Sequence, residues 1–507
     1  MSLPNPSSLA ADSPVRAGFH AALEQIESYP VERNWRPAFL TPLSTLPQPR
    51  RMPLADLPGK RPVVVPFGGQ ALTLAGAFHA LRSGSLTVAA LLDQVLAAID
   101  RQQPALNAFV YVTPPAELQL LADELDRELR AGICRGTLHG IPIAVKDLFD
   151  VAGMPNTASS PVLDDNVSHA DAGSVSLLKA AGAVIMGKTH THEFSLGATT
   201  PQSRNPWDPT RDPGGSSGGS AIAVATGMSL GAMATDTRAS LRVPAALCGV
   251  VGCKPTFGLV PSDGLIMTSW SLDHVGHMAP TVEDAALMLD VLDPAPYVRY
   301  SEALHKSMRG VRIGVPTASL QGAEAGVAAA FQGAIAAMRQ AGAEVVEIGI
   351  PSAADFDLAV GMGLIVSRAE AAAYHTIYGD RRQRYATAAV AEQMDEAGRV
   401  SAVHYLQAQR AREDLRWRML RTFDSFDALL TPTTLMAAPK SDETDYYFFA
   451  LSRNCILWSV LGFPVISLPC GRTPLNLPVG AQLVAAPYED ARLLSIAAAL
   501  ELELNRN

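Results

Sequence analysis

The sequence predicts an α/β fold, a sheet covered by helices on both faces, and three observations carry that expectation. Short uninterrupted apolar runs, such as Ile141–Val145, Ala183–Met186 and Val465–Leu468, recur along the chain, the pattern of strands buried on both sides. Between them lie segments whose apolar residues fall three and four positions apart, the spacing of an amphipathic helix. With 507 residues, 48% of them hydrophobic, the chain can bury a large core.

In chain order, residues 1 to about 70 come first, with Pro42, Pro47, Pro49, Pro53, Pro58, Pro62 and Pro66 in quick succession. Prolines at that density block regular helix and sheet, so the segment reads as an extended arm with one short helix near Ala17–Glu27. Such an arm suits lying on the body or joining two copies as a homodimer. Regular structure then begins. Val88, Leu91, Leu92, Val95, Leu96 and Ile99 share one helical face, with Thr87 as N-cap. A second helix carries Leu118, Leu121, Leu125 and Leu129, opened by Thr113 and Pro114 at the cap and first-turn positions. Then a strand at Ile141–Val145, a helix at Ser174–Ala181, a strand at Ala183–Met186, a helix at Ala221–Thr226 and a strand at Leu230–Ala234 follow. Further strands are expected at Val311–Val315, Val345–Ile348, Ala428–Leu430, Val465–Leu468 and Ala481–Val484. Residues about 317–422 are mainly helical in pattern and suit a cap over a site. No repeat of 20 to 50 residues is present.

Composition excludes several classes. A formal net charge of −9 argues against nucleic acid as a main partner, and the cluster Arg381, Arg382 and Arg384 reads as a solvated helix face. Five cysteines, at 134, 248, 253, 455 and 470, are an odd number without a CxxC pair. That fits buried thiols in a reducing, cytoplasmic compartment. The N-terminus has neither a basic nor an apolar signal region. Pro213 to Thr235 carries no charge, yet it is rich in Gly, Ser and Thr and reads as buried core, with no membrane span expected. His190, His192 and Glu193 sit together, but no spaced Cys/His set completes a metal site; no metal and no cofactor are expected.

The chemistry-bearing residues are two serines and a lysine. A serine hydroxyl needs a base within hydrogen-bond reach, and none of the 11 histidines stands in a recognisable hydrolase context. A lysine can serve if burial leaves it neutral. Lys146 ends an apolar strand run; the plain alternative is a lysine paired with Asp147 at a strand end. Gly214-Gly215-Ser216-Ser217-Gly218 formally matches G-x-S-x-G, but Asn205–Pro213 before it cannot be the strand that a nucleophile elbow requires. No Gly-Lys-Ser/Thr follows, so the loop is not a P-loop.

Taken together, several segments resemble the amidase signature family. They are Leu138–Gly153 (LHGIPIAVKDLFDVAG), Gly214–Ala221 (GGSSGGSA), Thr235–Pro244 (TDTRASLRVP), Cys248–Thr256 (CGVVGCKPT), Ala428–Pro432 (ALLTP) and Leu461–Gly471 (LGFPVISLPCG). The resemblance spans roughly residues 70 to 505. It implies one large domain over 71–507 built on a mixed sheet. It implies Lys146 as neutral base, Ser216 as bridging serine entered through a cis peptide bond, and Ser240 as nucleophile, with backbone amides of Thr237, Arg238, Ala239 and Ser240 as the oxyanion hole. Asn156 and Ser159 fall where the family places residues near the substrate; Ser217 either donates to the site or caps the following helix.

Arg238 and Ala239 stand where that family usually carries two glycines. Glycine tolerates positive φ, whereas Arg and Ala do so at a cost, so a turn needing a left-handed residue there would distort the hole. Arg238 admits three readings: it pairs with an anionic group of the substrate, it turns away to an acid in the surrounding shell, or it occludes a site that has lost catalysis. Asp236 and Arg242 are expected to brace the turn as an ion pair. Tyr446, Tyr447, Phe448 and Phe449 either line an acyl pocket or join the core. The function implied is a carboxamide hydrolase acting on a small-molecule amide. The alternatives are the glutaminase subunit of a tRNA-dependent amidotransferase, an esterase, carbamate hydrolase or acyl transferase with the same triad, and a non-catalytic homologue.

Overall fold

A computed structural model of the protein describes residues 14–29, 72–304, 307–443 and 448–506. At its centre is an 11-stranded mixed sheet. In chain order the strands are β1 (Phe109–Val112), β2 (Pro142–Lys146), β3 (Val184–Thr189), β4 (Gly231–Asp236), β5 (Val251–Lys254), β6 (His274–Ala279), β7 (Arg312–Pro316), β8 (Glu344–Ile348), β9 (Ala428–Pro432), β10 (Val465–Arg472) and β11 (Pro478–Val484). Their spatial order is β1-β3-β2-β4-β6-β5-β10-β11-β9-β7-β8. The pairs β3/β2, β2/β4, β9/β7 and β7/β8 are parallel and the others antiparallel.

Every residue of β2, β3, β4, β5, β6, β9 and β11 is buried. Since successive side chains point to opposite faces, both faces of the sheet are covered, as the unbroken apolar runs predict. The strands β1, β5 and β6 are not among those expected. Phe109–Val112 is short, and Val251–Lys254 and His274–Ala279 end on or contain Lys254, His274 and His277, which break the apolar run. These polar side chains are nonetheless buried.

The helices relevant here are α1 (Pro14–Glu27), α2 (Leu74–Ser83), α3 (Val88–Leu106), α4 (Pro115–Arg130), α5 (Gly173–Ala180), α6 (Gly218–Ala225), α7 (Arg242–Cys248), α8 (Val282–Leu292), α9 (Ala325–Gln340), α10 (Ala353–His375), α11 (Ala388–Ala397), α12 (Ala402–Leu420), α13 (Phe448–Leu461) and α14 (Asp490–Leu504). Thr87 caps α3, its hydroxyl accepting from Ala90 N at 3.1 Å. The expected opening of α4 is one residue early: Pro114 stands at the cap, while the Thr113 hydroxyl donates to Ile185 O at 2.9 Å and ties the chain to β3. The remainder of the proline-rich arm lies outside the described residues. Its helix α1 buries Phe19, Ala22 and Ile26, and Arg16 pairs with Glu396 of α11 at 3.0 Å. Residues 317–422 are mainly helical, with β8 as their one strand. In this stretch Arg381 and Arg384 lie on the surface, paired with Asp165 and Asp164. No helix of the described residues is long and apolar enough to cross a membrane.

Candidate active site

The site is assembled where the carboxyl ends of β2 and β4 meet the loop that opens α6. Lys146, the last residue of β2, is fully buried. Its Nζ lies 2.8 Å from Ser216 Oγ and 2.8 Å from Thr235 Oγ1 on the neighbouring strand β4. Burial pushes the ammonium down to about 7, against the opposing pull of Asp273 and Asp236. The expected alternative, a Lys146–Asp147 pair, is not what forms. Asp147 pairs with Lys188 at 3.2 Å and accepts from the backbone amides of Thr157 (3.1 Å) and Ser159 (3.0 Å).

Ser216 is reached through a cis Gly215–Ser216 peptide bond. A Cβ at Gly215 would sit 1.9 Å from Thr199 O, so only glycine lets the loop lie against that backbone. The following amide, Ser217 N, donates to Ser240 O at 3.0 Å, and Ser216 O accepts from His192 N at 3.1 Å. The Ser216 hydroxyl donates to Ser195 Oγ at 2.9 Å. Ser195 is absent from the sequence-based expectations. It follows Phe194 in a short 3₁₀ turn where both residues have positive φ, 50° and 59°, and neither is a residue type that announces such a turn.

Residues 237–240 link β4 to α7. Neither Arg238 nor Ala239 has a positive φ, so the turn does not require the conformational freedom of glycine at these positions. The backbone N–H groups of Thr237, Ala239 and Ser240 donate to no described group, nor does the Ser240 hydroxyl. The turn is held from beneath. Arg242 Nε donates to Asp236 Oδ2 at 2.9 Å and its Nη2 to Cys455 O at 3.0 Å, while the Ser459 hydroxyl donates to Asp236 Oδ1 at 2.7 Å. All of these groups are buried, so the expected bracing pair is present. From the other side the Thr237 hydroxyl donates to Asp273 at 2.6 Å, and Asp273 also accepts from the amides of Thr268 (2.8 Å) and Ser269 (2.9 Å). Burial pushes the Asp273 carboxyl up to about 6.

Over the turn is a narrow cleft lined by Ser195, Gly215, Thr237, Arg238, Ala239, Ser240, Thr268, Arg368 and others. Arg238 therefore contributes to the wall of the cleft. Its stem runs along α10 at Gly363, where a Cβ would come within 3.4 Å of Arg238 Cδ. Arg368, from the same helix, has no sequence signal of its own, because a lone arginine in an alanine-rich helix reads as solvated.

The other candidates lie away from this wall. Asn156 donates to Asp150 (2.9 Å) and Leu148 O and accepts from Lys188. The Ser159 hydroxyl meets His190 Nδ1 at 3.3 Å and accepts from Thr191 N at 3.1 Å. Ser217 neither caps α6 through its side chain nor lines the cleft; its hydroxyl donates to Thr235 O at 3.3 Å. Glu193 accepts from Ser160 Oγ and Ala386 N. Tyr446, Tyr447 and the side chain of Phe448 lie outside the described residues, and Phe449 is exposed.

Comparison with known proteins agrees with this architecture. The family model described as Amidase matches residues 90–494. An amidase from Pseudomonas putida is 38% identical over 422 residues, 79% of this chain and 89% of that protein. One subunit of the glutamyl-tRNA(Gln) amidotransferase from Chloroflexus aggregans is 36% identical over 470 residues, 84% of this chain and 95% of that protein. The crystal structure of the peptide amidase from Stenotrophomonas maltophilia superposes with a TM-score of 0.74 at 30% identity, over 85% of this chain and 96% of that one. The chain belongs to the amidase signature family.

Proposed function

We propose that the protein is an amidohydrolase that cleaves a carboxamide C–N bond through an acyl-enzyme on Ser240. The observation that carries this reading is the buried Lys146 amine, lowered to about 7 and held 2.8 Å from Ser216 Oγ, beside a cleft whose wall includes Ser240. Near neutral pH such a lysine is substantially unprotonated and can take a proton. Ser240 Oγ attacks the amide carbon, its proton passes to Ser216, and the proton of Ser216 passes to Lys146. The carbonyl oxygen becomes an oxyanion that accepts from backbone amides of Thr237, Arg238, Ala239 and Ser240. Collapse breaks the C–N bond, and the proton returns through Ser216 to the departing amine. Water then attacks the ester on Ser240 by the same relay, releasing the acid. Only side chains and backbone amides are used.

The negative φ values at Arg238 and Ala239 support an undistorted turn. Intact-mass analysis after incubation with a panel of amides tests the reading: an acyl adduct on wild type, absent from Ser240→Ala, is expected. A Ser240→Ala variant that still hydrolyses amides would overturn it. Cleavage of esters or carbamates would pass through the same adduct.

A second reading, ammonia transfer from glutamine within a larger assembly, is favoured by the relatives named as subunits of glutamyl-tRNA(Gln) amidotransferases. It predicts a stable partner and glutamine-dependent ammonia release. A Ser240 inert to a fluorophosphonate probe in a protein that still binds ligand would indicate a non-catalytic homologue.

A further inference from the structure

We propose that the cleft beside Ser240 selects amides whose acyl portion carries a carboxylate, with Arg368 as the principal anion-binding side chain and Arg238 as a second cation. This rests on the amide-hydrolysis reading and names its substrate class.

Two arginines, from different elements, line one cleft with Ser240. Arg238 comes from the nucleophile turn and Arg368 from α10. The described residues of that wall include no carboxylate. Arg368 is 3% exposed. Among the described residues its guanidinium makes one hydrogen bond, from Nη2 to Leu196 O at 3.3 Å, and its buried Nε makes none. A guanidinium has five N–H donors in a rigid fork matched to a carboxylate, and a buried donor without an acceptor is costly.

Two described acids near the cleft are committed elsewhere. Glu370 accepts from Ser269 Oγ, Ser271 N and Oγ, and Tyr405 OH, while Asp273 holds Thr237, Thr268 and Ser269. Burial, together with the positive charge of Arg238, pushes Arg368 well below its ordinary value, and burial lowers Arg238 to about 10. An anion entering the cleft satisfies the open donors of Arg368 and offsets the positive charge of Arg238 acting on it.

Succinamate, a short primary amide ending in a carboxylate, is the probe substrate. With water it gives succinate and ammonium, one C–N bond broken and one C–O bond formed. Butyramide is its uncharged counterpart. Wild type is expected to favour succinamate by at least roughly 10-fold in kcat/KM, the scale of a charged hydrogen bond, and Arg368→Met to bring that ratio toward one. Arg368→Lys, which keeps the charge but not the fork, should retain part of the preference. In a separate arm, calorimetry measures succinate binding to the Ser240→Ala protein, and adding Arg368→Met is expected to weaken it at least roughly 10-fold. Equal turnover of the two amides by wild type, or succinate binding indifferent to Arg368, overturns the anion site and leaves amide hydrolysis standing. Arg368-dependent succinate binding by a protein that hydrolyses no amide supports the anion site and removes the hydrolysis reading.

Discussion

Ser195 Oγ lies 2.9 Å from Ser216 Oγ and accepts its proton. A hydroxyl has one donor and two acceptor positions. With Lys146 protonated, Ser216 accepts from its Nζ and donates to Ser195; in the proposed mechanism the neutral amine takes the Ser216 proton instead, and the two lone pairs of Ser216 then face Ser195 and Ser240. On that mechanism Ser195 orients the Ser216 hydroxyl without being part of the proton path. The expected outcome for Ser195→Ala is a kcat lowered roughly 3- to 10-fold, the worth of one hydrogen bond of about 1 kcal/mol. KM should stay within about twofold, because the loss falls on the chemical step. Steady-state kinetics checks the split; a rise in KM at constant kcat would assign Ser195 to substrate binding instead.

The buried lysine gives the activity a pH signature. Its ammonium, lowered to about 7 by burial, must be neutral to act as base, so kcat/KM should rise with pH through about 7 and then level off. Of the two acids that oppose this lowering, Asp273 is the stronger. Asp273→Asn removes a negative charge that favours the protonated lysine, so the acid limb should move to lower pH. A pH–rate profile of both proteins decides it, and a midpoint that moves upward would contradict the electrostatic argument.

Much of this site was legible in the sequence because its chemistry is carried by contiguous segments. Lys146 closes an apolar run, and Ser216 and Ser240 sit in short segments with a family resemblance. The structure brings Lys146 and Ser216 into contact and ties the Ser240 carbonyl to Ser217 N. The Asp236–Arg242 brace was legible for a different reason: two charges in a stretch of small apolar residues must be paired if buried. What was hidden depends on distant contacts. Ser195 matters only because the loop after β3 folds back with positive φ onto the α6 loop, and Arg368 only because α10 crosses the cleft. Asp147 follows Lys146 directly, yet it pairs with Lys188 because adjacent side chains at a strand end point to opposite sides.

The brace under the 237–240 turn should be the part most sensitive to substitution. Asp236 and Arg242 are fully buried and joined by two hydrogen bonds, 2.9 and 3.2 Å, with Arg242 also reaching Gln482 Oε1 at 3.0 Å. Arg242 holds the Asp236 carboxylate down to about 2 against the effect of burial. Arg242→Met leaves that buried carboxylate with only Ser459 Oγ and Leu241 N as hydrogen-bond donors among the described residues, and removing one partner of a buried pair costs roughly 3–5 kcal/mol. Denaturant unfolding measures the loss, and a variant as stable as wild type would show that the pair is dispensable.

A second pH effect concerns stability. Both Glu501 carboxylate oxygens, on α14, accept from Val282 N at the start of α8 (3.0 and 3.2 Å), and burial together with Asp284 and Glu283 pushes the carboxyl up to about 8. A folded-state value above the unfolded one means that between them the native protein holds a proton which the unfolded chain has released. Stability from this group is therefore complete below its ordinary carboxylic range and is lost as pH rises through about 8. Glu501→Gln keeps an oxygen for Val282 N but cannot ionise. It is expected to melt close to wild type at acid pH and higher than wild type above the transition, by on the order of 1–3 °C. Calorimetry across the pH range reads the difference, and a variant melting below wild type on the alkaline side would mean that the ionised carboxylate is worth more to the α8 terminus than its burial costs.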